Sequence, residues 1–131
     1  MQRLTNCEFI IDIQEIVHIS SAGQFEILVL TTDQERYKFI FKNVWDMRLS
    51  MEIVNVNRFC EFRKCLPDGI IYNGIYVVED SDYVKYWEIE SAGAYGPVRL
   101  THYLVQDNSD LLVDILVCGK GPVLVLDTDN T

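Results

Sequence analysis

The sequence predicts an α+β domain: a curved, mostly antiparallel β-sheet, closed up as a sandwich or half-barrel, with one or two short helices packed on it. Three observations lead there. Apolar and polar residues alternate with period two over most of the chain, as half-buried strands require. Turn residues interrupt that alternation at short intervals, at Ser21-Ala22-Gly23, Asp33-Gln34-Glu35, Leu66-Pro67-Asp68-Gly69 and Asn108-Ser109, which suits hairpins better than crossovers. A single stretch, 81–91, carries helix-capping residues instead. With 131 residues, 49% of them hydrophobic and 24% charged, the chain can bury one core without metal or disulfide staples, so 1–131 reads as a single domain.

The first hairpin is expected to turn on Gly23 in a left-handed conformation, pairing Ile19 with Phe25 and Val17 with Ile27, with Ile13 and Val29 on the same apolar face. That register sets His18 opposite Glu26. Arg36 to Lys42 makes a third strand with Tyr37, Phe39 and Phe41 inward. Trp45, Met47, Leu49, Met51 and Ile53 interleave with Asp46, Arg48, Ser50 and Glu52, a half-buried strand. Asn57 to Cys65 is a short helix or irregular connection, and Ile70 to Val78 returns to strand, with a hairpin signal at Asn73-Gly74. Between Ser81 and Ser91 the pattern allows a strand, through Tyr83, Lys85, Trp87 and Ile89, or a helix with Val84, Trp87 and Ser91 on one face. Local signals favour the helix, since Ser81 is a good N-cap, Asp82 suits the positive end of the helix dipole, and Gly93 can close the C-terminus. Strands at Leu100 to Gln106, Leu111 to Cys118 and Val123 to Leu126 complete the chain. A two-residue loop at Asn108-Ser109 would pair Tyr103 with Asp114, Val105 with Leu112 and His102 with Ile115.

Charge narrows the function. Eleven basic residues stand against 20 acidic ones, for a net charge of −9, and residues 66–131 carry −8 of it. Only Lys85, Arg99 and Lys120 are basic in that half, too few to displace the counterions of a nucleic acid. An acidic field favours encounter with basic proteins. No apolar run approaches the ~20 residues of a membrane-spanning helix. The first residues, Met1-Gln2-Arg3-Leu4, have no export-signal pattern, so a cytoplasmic location with Cys7, Cys60, Cys65 and Cys118 as free thiols is expected.

Recognised chemical signatures are not found. Cys60 and Cys65 with two distant histidines do not have zinc spacing, and Asp107, Asp110 and Asp114 lack the rest of a calcium loop. Neither metal nor cofactor is expected. In the predicted register His102 falls on an apolar face, where a lone histidine is a core residue held by hydrogen bonds. His18 has no nucleophile beside it. What remains is an acidic, aromatic-bearing surface. Tyr103, Asp107, Asp110 and Asp114 would form one side of the last hairpin, and Glu79, Asp80, Asp82, Glu88 and Glu90 would surround the helix. Aromatics anchor interfaces and carboxylates steer cations toward them.

The run Asp80-Ser81-Asp82-Tyr83-Val84-Lys85-Tyr86-Trp87, then Glu90-Ser91 and Gly93, His102-Tyr103, and Asp114 to Pro122, resembles a pattern in small, largely uncharacterised bacterial proteins. These have an N-S-x-Y-x-x-W helix start, an E-S-x-G exit, and H-Y before a valine-rich strand. The resemblance spans about 79–125, and Asp80 stands where the pattern has Asn. It implies the helix, a bacterial origin and a role of immunity type, and transfers no catalytic residue. The resulting expectation is a non-catalytic acidic immunity protein that neutralises a basic toxin, most concretely a nuclease. The alternatives are a small-ligand module with a pocket lined by Tyr and Trp, or a weak enzyme built on His102.

Overall fold

Two antiparallel sheets face one another across an apolar core, with one helix on the outer surface of the larger sheet. The computed structural model describes residues 2–3, 10–20, 23–31, 34–51, 74–94, 96–107 and 111–126. The elements are β1 (Gln2–Arg3), β2 (Ile10–Ile19), β3 (Gln24–Thr31), β4 (Arg36–Phe41), β5 (Val44–Met51), β6 (Gly74–Val78), α1 (Asp82–Ala94), β7 (Leu100–Gln106), β8 (Leu111–Cys118) and β9 (Val123–Leu126). The five-stranded sheet runs β1-β6-β7-β8-β5 and the four-stranded sheet β2-β3-β4-β9. Ile13, Ile27, Val29, Phe39 and Phe41 of the smaller sheet pack on Ile75, Tyr103, Val105, Val113, Ile115 and Val117 of the larger. No helix among the described residues is long and apolar enough to cross a membrane.

Strand positions follow the alternation closely; registers do not. Gly23 has the expected positive φ, +58°. Yet Ile19 pairs with Gln24, His18 with Phe25 and Val17 with Glu26, one residue away from expectation. A bulge between Ile13 and Glu15 then sets Ile13 opposite Val29, and both reach the core on the shared face expected of them; a second bulge follows between Ile10 and Asp12. His18 therefore stacks on Phe25 at 4.5 Å instead of meeting Glu26, whose carboxylate takes Lys38 at 3.4 Å. Gly74 opens β6 as a ladder residue opposite Gln106, and Asn73, the other half of the expected hairpin signal, lies outside the described residues. Met47 packs on the core as expected, while Asp46 is half-buried beneath α1 and the exposed Arg48 stacks on the Tyr83 ring of that helix. Expectations at 52–73, among them the turn at Leu66 to Gly69, fall outside the described residues.

The last hairpin decides the site. Tyr103 pairs with Ile115, His102 with Leu116 and Leu104 with Asp114, again one residue from the predicted pairing. Asp107 causes the slip: its N–H donates to the Leu111 carbonyl at 3.2 Å, and its Oδ1 accepts the Leu111 N–H at 3.0 Å, leaving three residues, not two, between them. Because side chains alternate faces, a slip of one moves Asp114 onto the side of His102 and Tyr103 into the core. The other oxygen of Asp107, Oδ2, accepts the N–H of Ile13 across the sandwich at 3.1 Å. The residue joins the two sheets at their rim and is 3% exposed, so it is not part of an outward acidic surface.

Candidate functional site

The outer face of β5, β7 and β8 carries a polar network, and α1 lies over it. Ser81 starts the helix as anticipated: its Oγ accepts the Val84 N–H at 3.2 Å and its carbonyl accepts the Lys85 N–H at 3.1 Å. From there the helix buries Ser91 and half-buries Tyr83, Val84, Trp87 and Glu88. Gly93 lies inside the helix and does not end it; the left-handed glycine after the C-terminus is Gly96, at φ +85°.

Ser81 Oγ lies 2.7 Å from His102 Nδ1, and His102 Nε2 lies 2.6 Å from Asp114 Oδ1. Asp114 is 0% exposed, and its Oδ2 stands 3.8 Å from the Arg48 guanidinium. A carboxylate can only accept, so the network assigns the ring hydrogen to Nε2 and leaves Nδ1 to accept the Ser81 hydroxyl hydrogen. Both ring nitrogens of His102 are then engaged. The ring is also held from the side by Tyr83, edge-on at 5.3 Å.

A second cluster centres on Asp46. Its Oδ2 accepts the Tyr83 hydroxyl at 2.5 Å and the Trp87 indole N–H at 3.1 Å, while Arg48 stacks 3.7 Å over the Tyr83 ring. Burial, followed by the Asp46 carboxylate that accepts its hydrogen, holds the Tyr83 phenol well above the ordinary tyrosine range. Glu88 Oε2 accepts the Leu100 N–H at 3.2 Å and so pins the helix to the start of β7.

Two depressions flank the helix. One, of about 240 Å³, is lined by Ser81, Val84, Lys85, Glu88, Leu100 and His102 among others. The other, of about 370 Å³, lies between Asp46, Arg48, Asp82, Tyr83, Tyr86 and Trp87. Away from the sheet, α1 presents Tyr86, 57% exposed, and Ile89, 74% exposed, with Asp82 and Glu90 beside them.

The nine acidic and aromatic residues expected on the surface therefore separate. Glu79, Asp80, Asp82 and Glu90 are exposed around α1, with Lys85 bridging Asp80 at 2.7 Å. Glu88 is half-buried and engaged with the backbone. Tyr103, Asp107 and Asp114 are buried, a correction to the expected hairpin surface that follows from the register. Asp110 lies outside the described residues. The sequence reading missed Ser81 as the partner of His102, although Asp114 carried a signal: it is the lone charge in a strand, Leu111 to Val117, apolar on both faces. Such a carboxylate must be buried with a donor.

No family model, curated protein or solved structure matches this chain. Among the described residues no group of three His, Cys, Asp or Glu side chains is arranged to hold a metal ion.

Proposed function

We propose that the chain is a binding module for a basic protein, which it engages through the solvent face of α1 and holds rather than transforms. The observation that carries this reading is the exposed Tyr86 and Ile89 on a helix otherwise glued to its sheet, with the carboxylates of Asp82 and Glu90 alongside. An aromatic and an aliphatic side chain left in water lose that exposure on association, and carboxylates around them select a cationic partner. The helix needs no folding on binding, because Ser81, Tyr83, Trp87 and Glu88 already fix it by hydrogen bonds. The net charge of −9 acts in the same direction at longer range. In its concrete form, the partner is a nuclease toxin whose cationic substrate site is covered. A small ligand between the sheets is less well supported, since Phe39, Phe41 and Tyr103 fill that space.

The test is association with a basic protein captured on the immobilised native chain at low salt and then purified. Tyr86→Ala with Ile89→Ala should raise the dissociation rate at least tenfold, whereas Asp82→Asn with Glu90→Gln should chiefly slow association. Equal affinity for the Tyr86→Ala, Ile89→Ala variant and the native chain would sink the proposal.

A further inference from the structure

We infer that Ser81 is an activated nucleophile, with His102 as its base, in a site that takes a short carboxylic ester in the 240 Å³ depression beside the helix start. The inference rests on the Ser81–His102–Asp114 geometry and is independent of the α1 solvent face.

The arrangement meets the requirements of such a site one by one. The nucleophile needs an acceptor for its proton within hydrogen-bond reach, and Nδ1 of His102 is 2.7 Å away. The base needs a group that fixes its tautomer, and Asp114 does so from the far side of the ring at 2.6 Å. The ring is used in the opposite sense to the familiar serine-protease triad, with Nδ1 toward serine and Nε2 toward aspartate, but donor and acceptor roles are the same. Developing negative charge needs electropositive surroundings. Ser81 sits at the N-cap of a 13-residue helix, where the helix dipole is positive and, with the Val84 and Lys85 N–H groups taken by Ser81, the Asp82 and Tyr83 N–H groups lack an acceptor one turn back. Finally the site must be reachable, and both Ser81 and His102 line the depression, with Val84 and Leu100 as apolar walls for a short acyl chain. A purely structural N-cap requires Val84 N–H to meet Ser81 Oγ; it does not require the buried His–Asp pair behind it.

The reaction is acyl transfer to water. Ser81 Oγ bonds to the ester carbonyl carbon while its proton passes to His102 Nδ1, and the carbonyl π pair moves onto oxygen. That pair returns, the C–O bond to the alkoxide breaks, and the alkoxide leaves as the alcohol with the proton from Nδ1. Water then attacks the acyl-serine, giving its proton to Nδ1, and the released Ser81 oxygen recovers it as the carboxylic acid departs.

The experiment uses a fluorophosphonate probe, whose phosphorus an activated serine attacks with loss of fluoride, read by intact mass and peptide mapping on the native chain. One adduct, on Ser81, is expected, and none on urea-unfolded protein. Ser81→Asn keeps the helix cap, since asparagine caps as well as serine, and should fold yet remain unlabelled. His102→Gln, folded by circular dichroism, should label at least about 100-fold more slowly, the usual contribution of a general base. Tyr86→Ala with Ile89→Ala should label at the native rate, so failure here and failure of the binding surface are separate results. No adduct on the folded native chain, an adduct elsewhere, or undiminished labelling of folded His102→Gln would each overturn the assignment.

Discussion

The two faces of the five-stranded sheet are made by the same strands and follow different rules. On the inner face Tyr103, Val105, Val113, Ile115 and Val117 meet the other sheet in an apolar contact that any residues of suitable size and shape would satisfy. On the outer face the neighbours in sequence, His102 and Asp114, are equally buried but polar, and each is held by specific partners. An inner face built from area alone tolerates volume-conserving change. The outer face tolerates only changes that leave no donor or acceptor alone, and it is there that chemistry can be held.

Truncation of the inner face should give the largest loss. Phe39→Ala removes a fully buried ring between the sheets and should cost about 3–5 kcal/mol, measured as a fall in the urea midpoint at constant slope. The outer face should respond to pairing more than to size. Asp114→Ala, which strands the His102 Nε2–H, should cost about 3 kcal/mol, whereas Asp114→Leu combined with His102→Leu should recover much of that loss. Additive costs in the double variant would erase the distinction between the faces.

At the rim, where both faces end, Asp107→Ala should strand the N–H groups of Ile13 and Leu111 and cost about 2–3 kcal/mol in the same assay. Asp107→Asn keeps one carbonyl oxygen and should cost less. Equal losses from the two would mean that the charge, and not the acceptor geometry, joins the sheets.

A smaller difference should appear only in alkali. Tyr83 on the outer face and Tyr103 on the inner both titrate above the ordinary value of 10.0, each chiefly because burial disfavours the phenolate. A raised value in the fold means that the unfolded chain releases its protons first. The stability linked to each tyrosine is therefore intact below pH 10.0 and is lost as pH rises beyond it. Melting temperatures followed from pH 8 to 11 should fall more steeply for the native chain than for Tyr83→Phe. Parallel curves would show that Asp46 and burial do not hold that proton.

How far the sequence could be read follows from the same contrast. Period-two alternation placed Phe39, Phe41, Ile27 and Val29 in the core because apolar area needs no partner to be recognised. Capping chemistry placed α1, because Ser81 acts on N–H groups three residues away. The polar network was not legible, since it depends on pairing across a hairpin, and one residue of loop length moves Asp114 from one face to the other. The deciding side chain was Asp107, whose carboxylate closes the longer loop on Leu111, a contact that counting turn residues does not weigh. Read as a solvated acid, it pointed outward; in the fold it points at two backbone amides.

The smallest effect on stability is expected where the acids do face water. Lys85 Nζ lies 2.7 Å from Asp80 and 3.9 Å from Asp82, and its hydrogen bond with Asp80 lowers the Asp80 carboxyl and raises the Lys85 ammonium from their ordinary values. Both partners are so well solvated that water and salt replace the contact almost without loss. Asp80→Asn should therefore leave the melting temperature unchanged; asparagine also accepts the positive φ of +51° found at this position. The same substitution removes one carboxylate from the rim of the α1 face, so association with a basic partner should slow at low ionic strength and match the native rate at 1 M salt, where screening acts within about 3 Å. Asp107→Asn should do the reverse, lowering stability and sparing the association rate of the folded fraction. A shifted melting temperature in Asp80→Asn, or a salt-dependent association defect in Asp107→Asn, would break the division between carboxylates that hold the fold and carboxylates that face a partner.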